Sequence, residues 1–295
     1  MTQPLFRKVA IIGVGLIGGS FALALRAAGA AEEIVGVDRD SVNLQRALQR
    51  RVVARAESDP ADAVRDADLV FLAMPVGQMK TVMQLVAPHL NADAIITDTG
   101  SSKQDVVLLA RQYLPEHLAR FVPGHPIAGA EQSGVDAADG ELFRGRNLVL
   151  TPIAETSADA INKVTSAWAL CGATVRRMSA ATHDRIFAAV SHLPHVLAFA
   201  LVEELAGRAD AEELFRYAAG GFRDFTRIAS SSPEMWRDIC LANRDSLAAE
   251  LEVYGTQLET LRRLVLTGDS AALQALFERA RVARNAWLAA GSGTE

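Results

Sequence analysis

A glycine-rich segment near the start of the chain constrains the fold more than any other feature. Gly13, Gly15 and Gly18 follow the apolar run Val9-Ala-Ile-Ile12 and precede a helical pattern that stops at Gly29. Between a strand and a helix, such glycines allow a tight turn, let the backbone approach a pyrophosphate and permit close helix–strand packing. The helix N-terminus adds free N–H groups and partial positive charge for phosphates. The segment therefore predicts a dinucleotide-binding unit.

The end of the second predicted strand indicates which dinucleotide is bound. Asp38 ends the apolar run that begins at Ile34. A carboxylate there accepts hydrogen bonds from adenine-ribose hydroxyls and repels a 2′-phosphate, which favours NAD over NADP. Arg39 follows directly and can attract that phosphate, so NADP stays open at this point. The predicted cofactor-binding residues are Gly13, Gly15, Leu16, Ile17, Gly18, Asp38, Arg39, Met74 and Pro75.

Strands and helices alternate through the first part of the sequence. Continuous apolar runs between helices are typical of a parallel sheet that is covered on both faces. After the first strand, further strands are predicted at 34–37, 68–73, 93–97, 121–122, 147–150 and 173–177. Beyond Met178 the pattern is helical. The sequence therefore predicts an α/β Rossmann-like dinucleotide-binding domain over residues 1–178, followed by an all-α substrate-binding and dimerisation domain over residues 179–295.

An apolar stripe marks the last part of the helical domain. Its residues recur at alternating spacings of four and three: Leu247, Leu251, Tyr254, Leu258, Leu261 and Val265. This is the period of one helix face, which packs either within its own domain or against a second subunit. We expect a homodimer, because the stripe is more apolar surface than one small helical domain readily hides.

Composition narrows the class of protein and its compartment. A formal net charge of −5 gives no general basic surface for nucleic acid. We expect neither a secretory signal nor a membrane-spanning segment, since apolar runs of the required length are lacking. Cys171 and Cys240 lie far apart, as is typical of free thiols in a reducing compartment. His192 and His195 lack a third ligand nearby, so no metal site is expected. The sequence thus predicts a cytoplasmic protein.

Candidate catalytic residues follow the carboxyl ends of predicted strands, where ligands collect in open α/β sheets. Three segments qualify: 73–76, the hydroxyl-bearing segment 98–103, and 123–131. In the third, His125 lies between Gly124 and Pro126, and the proline disfavours a helical conformation at His125. We therefore expect His125 on a stiff loop at a strand end, where its imidazole can act as a general base.

Two further motifs lie in the helical part. Pro194 is expected to kink a long helix, with Ser191 and His195 four residues apart on the same face. Asp224 and Arg227 are three residues apart, so the carboxylate can hold a guanidinium that faces an anionic substrate. A solvated ion pair on the surface fits the same spacing.

Together these segments resemble the prephenate and arogenate (cyclohexadienyl) dehydrogenase family of tyrosine biosynthesis. The resemblance covers nearly the whole chain and rests on five motifs in order: GVGLIGGS at 13–20, DTGSSK at 98–103, GHPIAGAEQSG at 124–134, SHLPH at 191–195 and GGFRDFTRIASSSPEMW at 220–236. It implies NAD-dependent oxidative decarboxylation of prephenate to 4-hydroxyphenylpyruvate, CO2 and NADH. Arogenate, or both compounds, stay open as substrates.

The resemblance also implies residue roles. His125 is similar to the family's catalytic histidine, and Ser101 to the serine that orients this histidine and the substrate hydroxyl. Arg227 is similar to the arginine that binds a substrate carboxylate, with Asp224 holding it, and His195 to a residue that recognises the substrate side chain. The predicted substrate site also includes Ser191, Glu131 and Trp236.

Other interpretations stay open. Hydroxyacid and pyrroline-carboxylate dehydrogenases share this domain order, but the hydroxyacid type is expected to use a lysine on the long helix of its second domain, and residues 183–208 contain none. A catalytically inactive nucleotide-sensing protein is expected to lack His125 or Arg227, and both are present. The chain length leaves no room for a sizeable regulatory domain, so feedback inhibition by L-tyrosine is expected at the active site itself.

Overall fold

The computed structural model describes residues 3–129 and 132–291. The chain divides into two compact units, Met1–Arg244 and Asp245–Glu295. The first unit contains all the strands of the described chain and the helices that lie beside them. The domain boundary at residue 178 stays a prediction.

The first sheet is parallel throughout. Its strands are β1 (Phe6–Ile12), β2 (Ala31–Val37), β3 (Arg55–Glu57), β4 (Leu69–Leu72), β5 (Ile95–Asp98) and β6 (Phe121–Val122). They lie in the order β3-β2-β1-β4-β5-β6, with every neighbouring pair parallel. The order reverses direction at β1 and β4, the point at which open α/β sheets bind ligands. The predicted Rossmann-like fold is confirmed.

A second, smaller sheet carries the candidate base. It consists of β7 (Gly124–Pro126), β8 (Asn147–Leu150) and β9 (Thr174–Arg177), in the order β7-β8-β9. β7 is antiparallel to β8, and His125 pairs with Val149. The prediction of a loop at His125 was therefore wrong: the residue lies on a three-residue strand. Pro126 is compatible with this strand because β7 is at the edge of its sheet.

Helices cover the first sheet and form the rest of the described chain. They are α1 (Leu16–Ala27), α2 (Ser41–Gln49), α3 (Pro60–Val64), α4 (Met79–Val86), α5 (Gln104–Tyr113), α6 (Ala158–Leu170), α7 (Ala180–Phe187), α8 (Leu193–Ala206), α9 (Ala211–Arg216), α10 (Gly220–Thr226), α11 (Pro233–Ala242), α12 (Arg244–Thr267) and α13 (Ser270–Gly291). The hydroxyls of Ser157, Ser179 and Ser232 accept backbone N–H groups at the starts of α6, α7 and α11. The predicted change to helix after the last strand is confirmed.

The core lies on both faces of the first sheet. On one face, Phe71 of β4 stacks on Phe21 of α1 with ring centroids 4.0 Å apart, and both rings contact Trp168 of α6. Val70 and Leu72 belong to the core cluster on the other face. Successive strand residues point to opposite faces, so a strand buried on both sides needs an unbroken apolar run. This is why apolar runs predicted the strands.

One helical run has the length and composition of a membrane span, whereas the sequence predicted no such segment. The run Ala180–Ala206 comprises α7, a π-helical turn and α8, and its most apolar window has a mean hydropathy of 1.6. The expectation that no segment passes this test was wrong. Of that window 17% is buried, and within the run His183 and Asp184 are fully buried and hydrogen-bonded to His125 and to the backbone of Lys103.

Candidate active site

Three glycines shape the turn between β1 and α1. Gly13 has a φ of 96°, and a Cβ there would lie 2.4 Å from the carbonyl oxygen of Ala73. A Cβ on Gly18 would lie 2.0 Å from the carbonyl oxygen of Gly13, so α1 packs closely against the turn. At Gly15, the N-cap of α1, a Cβ would meet no atom of the described chain within 4 Å. The turn is therefore tight at both ends and open to a ligand in the middle.

The Asp38 carboxylate lies beside this turn and is held by three donors. Its Oδ2 accepts from the backbone N–H of Val14 at 3.0 Å and from Asn43 Nδ2 at 2.9 Å. Its Oδ1 accepts from the backbone N–H of Asp40 at 2.9 Å. A fixed carboxylate next to an open helix N-terminus fits a dinucleotide whose ribose keeps its 2′-hydroxyl. The residues present thus fit NAD.

The other predicted cofactor residues border the same turn. Leu16 and Ile17 are partly exposed in the first turn of α1. Met74 is buried, and Pro75 precedes the 3₁₀ turn Val76–Gln78 after β4. Arg39 is directed elsewhere: its Nη2 lies 3.4 Å from Glu234 Oε2 of α11.

His125 is the outer member of a chain of hydrogen-bonded groups. Its Nδ1 lies 2.8 Å from His183 Nε2, and His183 Nδ1 lies 2.8 Å from Asp184 Oδ1. The carboxylate also accepts the backbone N–H groups of Lys103 at 2.8 Å and Gln104 at 2.9 Å, at the start of α5. His125 is partly exposed, whereas His183 and Asp184 are buried.

The protonation states of His125, His183 and Asp184 follow from burial and from their hydrogen bonds. Burial, reinforced by the positive charge of Lys103, holds the pKa of His125 well below its ordinary value. Burial also lowers the pKa of His183, only partly offset by Asp184. Burial alone would raise the pKa of Asp184, but hydrogen bonds from His183 and from the backbone of α5 lower it. At neutral pH, His125 is therefore an unprotonated imidazole, as a general base must be.

A buried ion pair underlies the segment 98–103. Lys103 Nζ bonds Asp98 Oδ2 and donates to the carbonyl oxygen of Gly124 at 2.7 Å. Asp98 in turn accepts the backbone N–H groups of Gly100 at 2.8 Å and Gly124 at 3.1 Å. Both charged side chains are fully buried. The pair thus ties the end of β5 to the start of β7, one residue before His125.

His195 lies in a second cluster, formed by α8 and α11. Its Nδ1 lies 2.9 Å from the carbonyl oxygen of Ser191, and its ring stacks on Trp236 with centroids 3.7 Å apart. The predicted relation between Ser191 and His195 is thus present, through the backbone carbonyl of Ser191. The expected distortion near Pro194 is a π-helical turn over Ala188–His192, because proline cannot donate to the preceding turn.

The arginine and acid of the substrate motif are exposed near this cluster. Asp224 lies on α10, and Arg227 begins the 3₁₀ turn Arg227–Ser230. The pKa of His195 is lowered by burial and by the charge of Arg227, against the hydrogen bond to Ser191. His195 and Arg227 are therefore within electrostatic range of each other. Glu131 lies outside the described residues.

Several residues of the site were not predicted. His183, which is hydrogen-bonded to Asp184, contacts Nδ1 of His125, whereas Ser101 was expected to orient this ring. Ser101 is partly exposed in the segment 98–103, and its role stays a prediction. Asn243 Nδ2 donates to the carbonyl oxygen of Asp184 at 2.8 Å. A pair of polar residues at the start of an apolar helical run was the available signal, because such groups are buried only when paired.

Comparison with known proteins gives matches over nearly the whole chain. Two family models match: the prephenate dehydrogenase nucleotide-binding domain over residues 21–177, and the prephenate dehydrogenase dimerization domain over residues 179–279. The cyclohexadienyl dehydrogenase of Zymomonas mobilis is 39% identical over 96% of this chain and 96% of its own length. The prephenate dehydrogenase of Bacillus subtilis is 36% identical over 92% of this chain and 74% of its own length.

A solved structure agrees over the same span. The crystal structure of prephenate dehydrogenase from A. aeolicus in complex with hydroxyphenyl propionate and NAD+ superposes with a TM-score of 0.89 and is 35% identical. The match covers 96% of this chain and 98% of that one. The glycine turn follows β1, at the switch point of the sheet, and together with these matches it shows that the chain belongs to the prephenate dehydrogenase family.

Proposed function

We propose that this protein is an NAD-dependent prephenate dehydrogenase, which converts prephenate to 4-hydroxyphenylpyruvate, CO2 and NADH in tyrosine biosynthesis. The observation that carries this proposal is His125, an unprotonated imidazole with a buried partner on Nδ1, next to Gly124, which is hydrogen-bonded to Asp98 at the carboxyl end of β5. An oxidation of a ring alcohol needs a base at this place and a hydride acceptor beside it.

Oxidation begins at the ring carbon that bears the hydroxyl. When bound, NAD accepts the hydride from this carbon. Negative charge would develop on the hydroxyl oxygen as the hydride leaves, and His125 relieves it by accepting the hydroxyl proton through Nε2. The oxygen is then a ring ketone. His125 is positively charged at this stage, and the chain through His183 to Asp184 lies on its other side.

Loss of CO2 completes the reaction. The bond between the ring and its carboxylate breaks, and its electron pair moves through the ring to the ketone oxygen. The ring becomes aromatic, which makes this step strongly downhill. The oxygen takes back the proton from His125, so that the base returns to its starting state. The protein supplies position, a base and the cofactor site.

The other site residues position the substrate. Arg227 binds a substrate carboxylate, with Asp224 beside it in the sequence motif, because a guanidinium pairs well with a carboxylate. Ser101 contacts the ring hydroxyl on the side of His125. His195, Ser191 and Trp236 are proposed to contact the side chain of the substrate, and Glu131 is a further residue proposed for the substrate site.

The nucleotide site selects NAD. Gly13, Gly15 and Gly18 hold the pyrophosphate at the start of α1, and Asp38 accepts the ribose hydroxyls. A 2′-phosphate would face the fixed carboxylate of Asp38, while Arg39 lies beside Glu234. NADP is therefore the poorer cofactor. The remaining proposed contacts with NAD are Leu16, Ile17, Met74 and Pro75.

One observation favours a second substrate, arogenate. His195 Nδ1 donates its proton to the carbonyl oxygen of Ser191, and burial with Arg227 lowers the pKa of His195. The neutral ring therefore presents Nε2 as an acceptor, which suits the ammonium group of arogenate. The keto group of prephenate needs a donor, which His195 provides only when protonated. The matched prephenate dehydrogenases support prephenate as the main substrate, and the acceptor on His195 supports arogenate as a second substrate at neutral pH.

Feedback and assembly follow from the same sites. L-Tyrosine carries the phenol of the product and the side chain of arogenate, so we propose that it competes with substrate at the active site. We place the dimer interface on the helical domain, residues 179–295, where Leu258, Val265, Phe277 and Trp287 are exposed. The free thiols Cys171 and Cys240 support a cytoplasmic location.

The experiment is a pair of assays on the purified protein. Appearance of NADH is followed spectroscopically with NAD and either prephenate or arogenate, and 4-hydroxyphenylpyruvate is identified as the product of prephenate. We expect NADH and CO2 in equal amounts from prephenate. No NADH with either compound, although NAD binds, would instead support a nucleotide-sensing protein without catalysis.

A further inference from the structure

We propose that His183 and Asp184 are positioning residues for the base: together they fix His125 in the tautomer that carries its proton on Nδ1 and leaves Nε2 free. This inference rests on the proposed function. It comes from three side chains joined in series, with N···N and N···O distances of 2.8 Å each.

Asp184 determines which atom donates in each hydrogen bond of the series His125–His183–Asp184. Its carboxylate receives two backbone N–H groups from the first turn of α5, from Lys103 and Gln104. Backbone N–H groups only donate, and the N-terminus of a helix favours negative charge. Asp184 is thus held as an ionised acceptor. Its Oδ1 therefore requires a donor from His183, which places the His183 proton on Nδ1.

The position of the proton on His183 determines the position of the proton on His125. The ring of His183 is fully buried, and burial lowers its pKa, so it carries one proton at neutral pH. With that proton on Nδ1, the Nε2 atom of His183 is an acceptor. The 2.8 Å contact with His125 Nδ1 is a hydrogen bond only if His125 donates. Nε2 of His125 is then the atom that receives the substrate proton.

Three neighbouring groups surround the series His125–His183–Asp184: the Lys103–Asp98 pair, His192 and Asn243. From the segment 98–103, Lys103 and Asp98 form a buried ion pair. From the π-helical turn, His192 is buried, and burial lowers its pKa to about 4, so it adds no charge at neutral pH. Asn243, at the end of α11, binds the backbone of Asp184 and approaches His192 Nδ1 at 3.2 Å. Asp184 is therefore held from two sides.

The first test reads the tautomer directly in the free enzyme. The chain has six histidines, few enough for ¹⁵N side-chain spectra to be assigned with single variants. We expect His125 to show a protonated Nδ1 and an unprotonated Nε2 at neutral pH, and His183 to show the same form. A proton on Nε2 of His125 would overturn the proposal. The measurement uses no substrate, so its outcome is independent of the proposed function.

The second test separates positioning from folding. His183→Phe removes the acceptor but keeps an aromatic ring, which in the native protein lies 4.4 Å from the ring of Phe187. We expect kcat to fall by about 10²-fold with little change in either KM, as is usual when a reacting group is slightly misplaced. His183→Gln restores an acceptor, and we expect it to recover at least about tenfold of this loss.

A matched control shows what loss of a buried histidine costs by itself. His117 is buried in the 3₁₀ segment Pro115–Arg120, and the proposed reaction does not use it. His117→Phe is expected to keep wild-type kcat. Equal kcat for wild type and His183→Phe, or no recovery in His183→Gln, would overturn the positioning role of His183. A wild-type protein that forms no NADH from prephenate or arogenate would overturn the proposed function and leave the tautomer measurement standing.

Discussion

Two histidine clusters of the same unit differ in how firmly their members are held. The His125 cluster consists of His125, His183, Asp184, Lys103 and Asp98. It is buried apart from the ring of His125, and hydrogen bonds and an ion pair join its members. The His195 cluster is more open and consists of His195, Ser191, Trp236, Asp224 and Arg227. In it, His195 has one hydrogen bond and one stacking partner, and its acid and arginine are exposed.

The difference separates chemistry from recognition. A base needs one atom in one protonation state at a fixed place, which a buried and fully paired network supplies. Recognition of a substrate side chain tolerates a few polar groups near solvent, where exchange of one residue costs little stability. We therefore expect changes in the His125 cluster to act on kcat or folding, and changes in the His195 cluster to act on substrate choice.

Replacement of the base should have the largest effect. In His125→Asn the side chain keeps a polar group but cannot take the hydroxyl proton. We expect kcat to fall by about 10² to 10⁴-fold, the usual contribution of general-base catalysis. Binding of NAD, measured by calorimetry, should stay unchanged because the glycine-rich turn is separate. Turnover above about a third of wild type at saturating substrate would exclude His125 as the base.

The buried ion pair should show its effect in folding. Lys103→Met leaves the Asp98 carboxylate buried without its counterion, and we expect the free energy of unfolding in urea to fall by about 3 to 5 kcal/mol. The control is Lys163→Met, since Lys163 pairs with Asp159 at 3.8 Å on the surface. That pair contributes at most about 1 kcal/mol. Equal destabilisation in the two variants would contradict a structural role for the buried pair.

Removal of the exposed arginine should act on binding. Arg227→Ala removes a charge-assisted contact with a substrate carboxylate worth about 2 to 4 kcal/mol. We expect KM for prephenate to rise accordingly. Arg223→Ala, on the same α10–3₁₀ segment, is the matched control and should keep the wild-type KM. The assignment of Arg227 fails if its variant also keeps that KM.

The smallest expected effect is a change in preference between two substrates. His195→Asp places a carboxylate where the ammonium group of arogenate is expected, and one partly buried ion pair changes binding by about tenfold. We expect the ratio of kcat/KM for arogenate over prephenate to rise by this factor. The measurement compares both substrates on wild type and variant. A ratio that does not move would place recognition of the side chain elsewhere.

The sequence predicted the parts of the fold whose signals are local. The strand before Gly13 and the helix after it are adjacent in the chain, and a parallel sheet buries its strands in unbroken apolar runs. The two strands that were missed, β3 and β7, have three residues each and lack such runs. In β7, Pro126 indicated a loop, whereas pairing with β8 makes the segment extended.

The active site was predicted only in part for a related reason. Motifs single out residues that contact ligands, and His125 belongs to such a motif. The residues that support it interact across long stretches of chain: His125 and His183 are 58 positions apart, and the Lys103 N–H and Asp184 are 81 apart. No spacing rule joins them before the fold is known. Burial of a charged pair and of a histidine–aspartate pair becomes visible only in three dimensions.

The pH dependence of kcat/KM for prephenate is the most direct measurement of whether unprotonated His125 acts as the base, because it reports the protonation of His125 in the free enzyme. Burial, with the positive charge of Lys103, lowers the pKa of His125, and protonation abolishes its function as a base. We expect a plateau through neutral pH and a loss of activity only as pH falls below about 6.5, the ordinary pKa of histidine. An acidic limb centred above that value, or activity that rises as His125 becomes protonated, would contradict it.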